Sequence, residues 1–485
     1  MTSTPSVFRS GGRVAAVVWK PAVLTAYCTV VATVAYHHEP WFDEAQAWLL
    51  ARDASLPDLC LRYLRYEGTP GLWHLLLMAP AKLGFPYRTM QLLAALSAAA
   101  GAALVLWLSP CPAAVRAAIP FTYFLLYQYA VVARSYVLVA PLLFAIAWLF
   151  PRARSKPWIL IALLILLANV SLHGTLAAVG ILLAYLIGIW TDPDPSKPGF
   201  SRQLLISCGV FLLALVVVTI EAWPVATDPF VHQITQVSHF SSYRERGVDQ
   251  IAEAFSFRLS FTAVLLALSL FWMARNRTAL YFVLPAGLVL GFSSLFYSSA
   301  WHAGILYVLW LFGMWIATNR NARTTPLYVW LAWVMVLGMH GYWAVRASLQ
   351  DINAPYSGSK ALAANIAPDV AAGKRIVGQG FMLTAVQPYF KKNIFVSDRD
   401  GTWPAFWFSR SPNYVYISRD SLATLHPDLI VASLWKMQPS EHDQLIRLLS
   451  DSGYTVIQEF PGEIVWKSGI LISDSYLAAR KTADP

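Results

Sequence analysis

The sequence predicts a mostly α protein: a polytopic transmembrane helical bundle of about eleven spans, followed by a small α/β domain outside the membrane. Three observations predict this class. Of 485 residues, 57% are hydrophobic and only 13% charged, whereas a soluble domain carries about 25% charged residues. The missing charge is concentrated in long apolar blocks. The basic residues, which give a formal net charge of +10, fall in short clusters between those blocks. Together these exclude a soluble enzyme, a disordered chain and a coiled coil. No nucleic-acid-binding motif accompanies the positive charge, so nucleic acid is not an expected partner. The clusters are those of a membrane protein that fixes its orientation.

A helix needs about 20 apolar residues to cross about 30 Å of hydrocarbon. Candidate spans lie at 14–36, 90–108, 117–132, 136–150, 158–171, 175–190, 204–220, 259–273, 280–296, 301–318 and 327–345. The first reads as an uncleaved anchor, although Thr33-Val34-Ala35 would pass as a cleavage site. With the N-terminus inside, the inner connections are 111–116, 151–157, 192–203, 274–277 and 319–325. They hold Arg116, Arg152, Arg154, Lys156, Lys197, Arg202, Arg275, Arg277, Arg320 and Arg323. Every short inner loop is then basic, as the positive-inside rule demands. Residues 70–84 are apolar enough to cross, but crossing would invert every later loop. With Pro70, Gly71 and Pro80 they read as a juxtamembrane or half-inserted segment on the outer side.

The outer face then holds the first loop, 37–89 with its juxtamembrane helices, the tips 133–136, 171–174 and 297–302, and the loop 221–258. Helices beside those tips are near 15 residues and cover only about 22 Å. The tips with Arg134 and His173 therefore sit below the outer headgroups. Charge and irregular backbone persist there only beside protein or a water-filled cavity, so a polar pocket opening outward is expected. Residues 1–350 form the membrane domain.

Beyond them, 351–485 change character. Short apolar runs at 374–377, 393–396, 427–432, 454–458 and 463–466 alternate with polar or helical stretches such as 441–449, which reads as a small extracytoplasmic α/β domain. Asp398, Arg399, Asp400 and Gly401 read as a turn, and Trp403, Phe406, Trp407 and Phe408 as an aromatic run most at home in a core. The one linker-like stretch, 192–199, is proline-rich. Cys28, Cys60, Cys111 and Cys208 show no pairing or metal spacing.

The chemistry concentrates in His37-His38-Glu39-Pro40-Trp41-Phe42-Asp43-Glu44-Ala45-Gln46-Ala47-Trp48, directly after the first span. An ordinary interfacial belt would place Trp41 and Trp48 at headgroup level and leave the acids solvated. The functional alternative is a carboxylate at the pocket mouth acting as a base. His37, His38, Glu39, Asp43 and Glu44 suit a divalent metal by type, but their spacing matches no strong motif and no cofactor is expected.

An Asp-Glu pair just after the first span, followed by Glu67-Gly68-Thr69-Pro70-Gly71-Leu72-Trp73-His74, resembles the GT-C superfamily of polytopic glycosyltransferases. It is most similar to the protein O-mannosyltransferase and lipid A aminoarabinose transferase types. The layout of spans and C-terminal domain is similar throughout, and the motif similarity covers 39–84. Thr69-Pro70-Gly71 stands where that family usually has two prolines. The resemblance implies a multi-pass enzyme of the bacterial cytoplasmic (inner) membrane, with its active site on the periplasmic or extracellular side. It implies transfer of a sugar, with inversion, from a polyprenyl-phosphate donor in the membrane lipid to a glycan, lipid or protein acceptor. A transporter or flippase for a lipid-linked sugar is the alternative from another class, and a glycan ligase or polymerase a third.

On this reading Asp43 is the base. Adjacent side chains on a helix point apart, so one of Asp43 and Glu44 enters the pocket and the other supports it. Arg134, alone between two apolar spans, is the phosphate ligand, with Arg62, Arg65 and Lys82 as alternatives. Otherwise Arg134 is a snorkelling or ion-paired arginine. Glu67, His74, Tyr136, His173 and His302 are candidates to line the substrate site, and a lone histidine among apolar residues is ordinarily a packing residue. Glu221 either faces the pocket or caps its helix.

Overall fold

The computed structural model describes residues 10–191, 200–224, 240–297, 299–321, 325–396, 416–467 and 469–482. The stretch 192–199 and the aromatic run with its preceding turn lie outside these. The chain is mostly helical, with a small sheet near its C-terminus. Its helices are α1 (Ser10–His37), α2 (Phe42–Asp53), α3 (Leu72–Lys82), α4 (Thr89–Leu108), α5 (Val139–Leu149), α6 (Pro157–Ala168), α7 (Leu172–Trp190), α8 (Arg202–Ala222), α9 (Phe240–Ala254), α10 (Leu259–Arg275), α11 (Leu280–Leu295), α12 (Ala303–Arg320), α13 (Leu327–Asn353) and α14 (Ser359–Ala371). Two more, α15 (Arg419–Leu425) and α16 (Pro439–Asp451), belong to the C-terminal region.

Among the described residues seven helices are long and apolar enough to cross a membrane, by length and composition. The count is eight if α9 and α10, bent by 72° at their junction, form one span. The expected eleven is therefore reduced in three ways. The stretches 158–171 and 280–296 form the shorter apolar helices α6 and α11. The stretch 259–273 joins α9 through the bend. The stretch 117–132 is no continuous helix: it breaks into a 3-10 turn at Ile119–Phe121 and a π turn at Phe124–Gln128. Pro120 removes a helical donor there, and buried side-chain hydroxyls donate to carbonyls of the irregular segment. Tyr27 Oη donates to the Leu125 carbonyl at 2.6 Å, and Thr122 Oγ1 to that of Ile119 at 2.8 Å. Such backbone is tolerated at depth only inside protein, and the whole π turn is buried. The doubtful segment 70–84 is the short helix α3, and its 11 residues span only about 17 Å.

α12 runs through the centre of the bundle with almost every residue buried. α7 and α11 pack so closely that a Cβ on Gly180 would collide with the Pro285 backbone; small residues at such contacts let helix backbones touch.

The C-terminal sheet has the order β1-β2-β6-β3 (β1 Ile376–Gln379, β2 Leu429–Ser433, β3 Tyr454–Phe460, β6 Tyr476–Lys481). β1 and β2 are parallel, with Ile376 opposite Leu429, and β6 lies antiparallel between β2 and β3. The run 393–396 supplies only an isolated bridge, Phe395 to Ile376. A separate hairpin, β4 (Glu463–Trp466) and β5 (Gly469–Ser473), docks on the bundle. Lys467 at its tip is fully buried, with Nζ 4.5 Å from the ring centre of Trp343 and 4.8 Å from that of Phe257. Trp466 Nε1 donates to Glu253 Oε2 at 2.6 Å. One continuous apolar core therefore runs from the bundle into this region.

Four buried polar groups tie the first and last long helices together. His38 Nδ1 lies 2.8 Å from Asp351 Oδ2 and His38 Nε2 lies 3.0 Å from Glu44 Oε2. Tyr127 Oη donates to the same Asp351 oxygen at 3.0 Å. Burial alone would hold the His38 imidazole neutral, but Asp351 and Glu44 outweigh it and raise its pKa to about 10. Removing the middle partner of a buried charged set costs about 3–5 kcal/mol, so His38→Ala is expected to lower the unfolding temperature sharply. The sign of the linkage follows from the raised pKa. This stability is fully present below about pH 6.5, the unfolded value, and is lost as pH rises through about 10. A thermal-unfolding series from pH 6 to 10 should fall in the wild type, and this part of the fall should vanish in His38→Ala.

Candidate functional site

At one end of the bundle a cleft opens between α2, the start of α3, the turn before α5, the first turn of α7 and the end of α11. It encloses about 700 Å³ of atom-free space, counted to its open mouth. Asp43, Glu67, His74, Arg134, Tyr136, His173 and His302 all line it. Seven of the eight candidate residues thus come together from five separate stretches of chain.

Asp43 sits in the first turn of α2. Its Oδ2 lies 2.7 Å from Arg134 Nη1, and both side chains are about a fifth exposed to the cleft (22%). Burial pushes the Asp43 carboxyl above its ordinary pKa, against the opposing pull of Arg134. Arg134 follows the irregular segment, and its guanidinium lies near the faces of Tyr136 and Trp301, 5.3 and 5.9 Å from their ring centres. Burial is outweighed by Asp43, so the arginine is held firmly charged.

Glu44, the other member of the pair, does not line the cleft. It is fully buried: Oε2 faces His38, and Oε1 accepts the backbone N–H of Ala133 at 2.7 Å. Adjacent helical positions point apart, which puts one acid in the cleft and the other beneath the loop that carries Arg134. Glu44 is therefore a positioning residue.

On the far wall, His302 Nδ1 accepts the Ser299 N–H at 3.0 Å, which fixes the proton on Nε2. That nitrogen donates to Tyr136 Oη at 2.7 Å, and the phenol is left free to donate towards the cleft. The His302 ring stacks on His173 with centres 4.0 Å apart, and His173 Nε2 meets Ser293 Oγ at 3.1 Å. His74 differs: both its ring nitrogens are buried with no hydrogen-bond partner among the described residues. Burial lowers its pKa to about 4, so at neutral pH it offers one donor and one acceptor to a ligand. Glu67 is bonded by Gln46 Nε2.

The alternative cations lie elsewhere. Arg65 Nε donates to the Trp223 carbonyl at 3.0 Å, Lys82 Nζ to that of Ala54 at 2.6 Å, and Arg62 lies over the Tyr63 ring. Glu221 accepts the Gly71 N–H at 3.3 Å and so holds the turn before α3 rather than facing the cleft. Among the described residues no three His, Cys, Asp or Glu side chains are grouped to hold a metal ion.

Sequence reasoning missed His38 and Asp351 as supports. His38 was visible beside the acidic pair, but nothing in the sequence brings Asp351 to it across the fold. Trp73, Ser171, Phe292 and Tyr297 also line the cleft. No family model matches this chain, and no curated protein or solved structure matches it either.

The two acids should separate cleanly in stability. Glu44→Ala strands His38 and the Ala133 N–H and should cost about 3 kcal/mol. Asp43→Ala, whose pair with Arg134 is partly open to the cleft, should cost less, about 1–2 kcal/mol. Denaturant unfolding of the two purified variants measures the difference.

Proposed function

We propose that the chain is an inverting glycosyltransferase that moves a sugar from a polyprenyl-phosphate donor to an acceptor hydroxyl or amine. The observation that carries this reading is the Asp43–Arg134 pair, 2.7 Å apart in a polar cleft at the end of apolar helices. Such a cleft joins a base to a fixed cation where a lipid headgroup can reach both.

In this mechanism the donor phosphate enters beside Arg134 and takes over the guanidinium, whose planar fork suits phosphate oxygens. The Asp43 carboxylate is then released to accept the proton from the acceptor. The acceptor oxygen or nitrogen bonds to the anomeric carbon from the face opposite the phosphate. The carbon–oxygen bond to phosphate breaks, and its electron pair leaves with the lipid phosphate, stabilised by Arg134 and the Tyr136 hydroxyl. The leaving group is stable as an anion and needs no strong acid. The carboxylate also faces the oxocarbenium character that develops at the sugar. His74, with both nitrogens unpartnered among the described residues, supplies hydrogen bonds to sugar hydroxyls.

The same reading places the protein in a bacterial cytoplasmic membrane, with cleft and C-terminal region on the periplasmic or extracellular side. It is supported by Arg152, Arg154 and Arg320, which follow α5 and end α12 away from the cleft, in keeping with the positive-inside rule. In it α6, α11 and the buried segment 117–132 complete about eleven passages.

Asp43→Asn should reduce transfer at least about a hundredfold while the protein stays folded. The measurement is turnover of a panel of labelled polyprenyl-phosphate sugars; transfer retained by that variant removes the assignment. Arg134→Gln should raise the donor concentration needed for half-maximal rate by about tenfold or more. Because the base must be ionised, kcat/KM should climb with pH through the raised Asp43 pKa.

A further inference from the structure

The far end of the bundle holds a second cavity, framed by the ends of α5, α7, α11 and α12. α7 carries His173 into the cleft and Tyr185 and Gly188 into this cavity, so the two lie about 20 Å apart along one helix. Among the described residues lining it, the charged ones are Arg154, after α5, and Arg320, the last residue of α12, with Asn319 beside it. Tyr281 reaches in from α11. Its hydroxyl is admitted because residue 188 is glycine; a Cβ there would collide with it.

Arginines near helix C-termini have an ordinary explanation, since they complement the helix dipole. That explanation does not cover Tyr185. Its side chain is only 4% exposed, and its buried hydroxyl has no hydrogen-bond partner among the described residues. A buried hydroxyl left unpaired is unfavourable, and an acceptor oxygen from a ligand removes the penalty. Two guanidinium groups and two phenols, with no carboxylate beside them among the described residues, make a donor-rich, positively charged recess.

We propose that this cavity is a binding site for a phosphate group, the chemistry shared by an anionic lipid headgroup and free inorganic phosphate. Phosphate presents acceptor oxygens at several angles. Guanidinium groups bind such oxygens bidentately, and basic pockets between apolar helices at a membrane surface suit anionic headgroups. The inference is independent of sugar transfer in the cleft.

The test uses the full chain, purified in a neutral detergent and stripped of lipid. Saturable binding of a fluorescent short-chain phosphatidic acid is competed with unlabelled phosphatidic acid, with diacylglycerol of the same chain length, and with inorganic phosphate. Phosphatidic acid should compete and diacylglycerol should not. Tyr185→Phe, which removes one oxygen and keeps the packing, should weaken binding about tenfold. Arg154→Gln with Arg320→Gln should weaken it at least about thirtyfold. Competition by inorganic phosphate at concentrations similar to the lipid supports the site and identifies the free anion as its source. Equal competition by diacylglycerol, or wild-type binding in both variants, overturns the proposal.

Discussion

The cleft depends on one buried carboxylate. Glu44 joins the His38 imidazole to the Ala133 N–H, and so couples three elements that the sequence keeps far apart. His38 extends the coupling to Asp351 at the end of α13. The loop that presents Arg134 has no regular secondary structure of its own to hold it. A hydrogen bond from its backbone to a buried acid, itself held by a second buried acid through a histidine, replaces the missing ladder. Fixed positions matter here, because a charge-stabilising group works only where it already stands when charge develops.

A division of labour follows for the acidic pair. Adjacent residues of one helix, chemically alike, meet opposite environments. Asp43 faces the cleft and the Arg134 guanidinium; Glu44 is sealed in and fully committed to hydrogen bonds. One residue can therefore exchange its partner for a ligand, while the other cannot change without disturbing α1, α2 and α13 together. The histidines divide similarly. His302 and His173 are spent on Tyr136, Ser293 and each other, whereas His74 has neither nitrogen committed among the described residues.

Much of this was legible in the sequence, and the failures have physical causes. Hydropathy located the long helices because length and apolarity alone decide them. It misjudged 117–132, where Pro120 and a crowd of aromatics give an apolar segment whose backbone is not helical and whose carbonyls are met by Tyr27 and by Thr122. Loop charge kept 70–84 from being counted as a span, and the structure gives there a helix of 11 residues; the tips that reading grouped together are those that meet in the cleft. The strand β6 escaped because Ala478 and Ala479 favour helix; burial between β2 and β3 overrides that preference. Asp351 escaped because its role exists only through His38 and Tyr127, contacts between distant parts of the helical bundle that no local pattern encodes.

The hairpin tip bears on how the molecule is assembled. Lys467 fills an aromatic box built by Phe257 and Trp343, residues made well before it during synthesis. The two rings pack on each other, centres 5.6 Å apart, so the box has its walls within the helical bundle and takes only its occupant from the hairpin. A chain cut before the hairpin would leave that box without its cation and the seam between hairpin and helical bundle unmade.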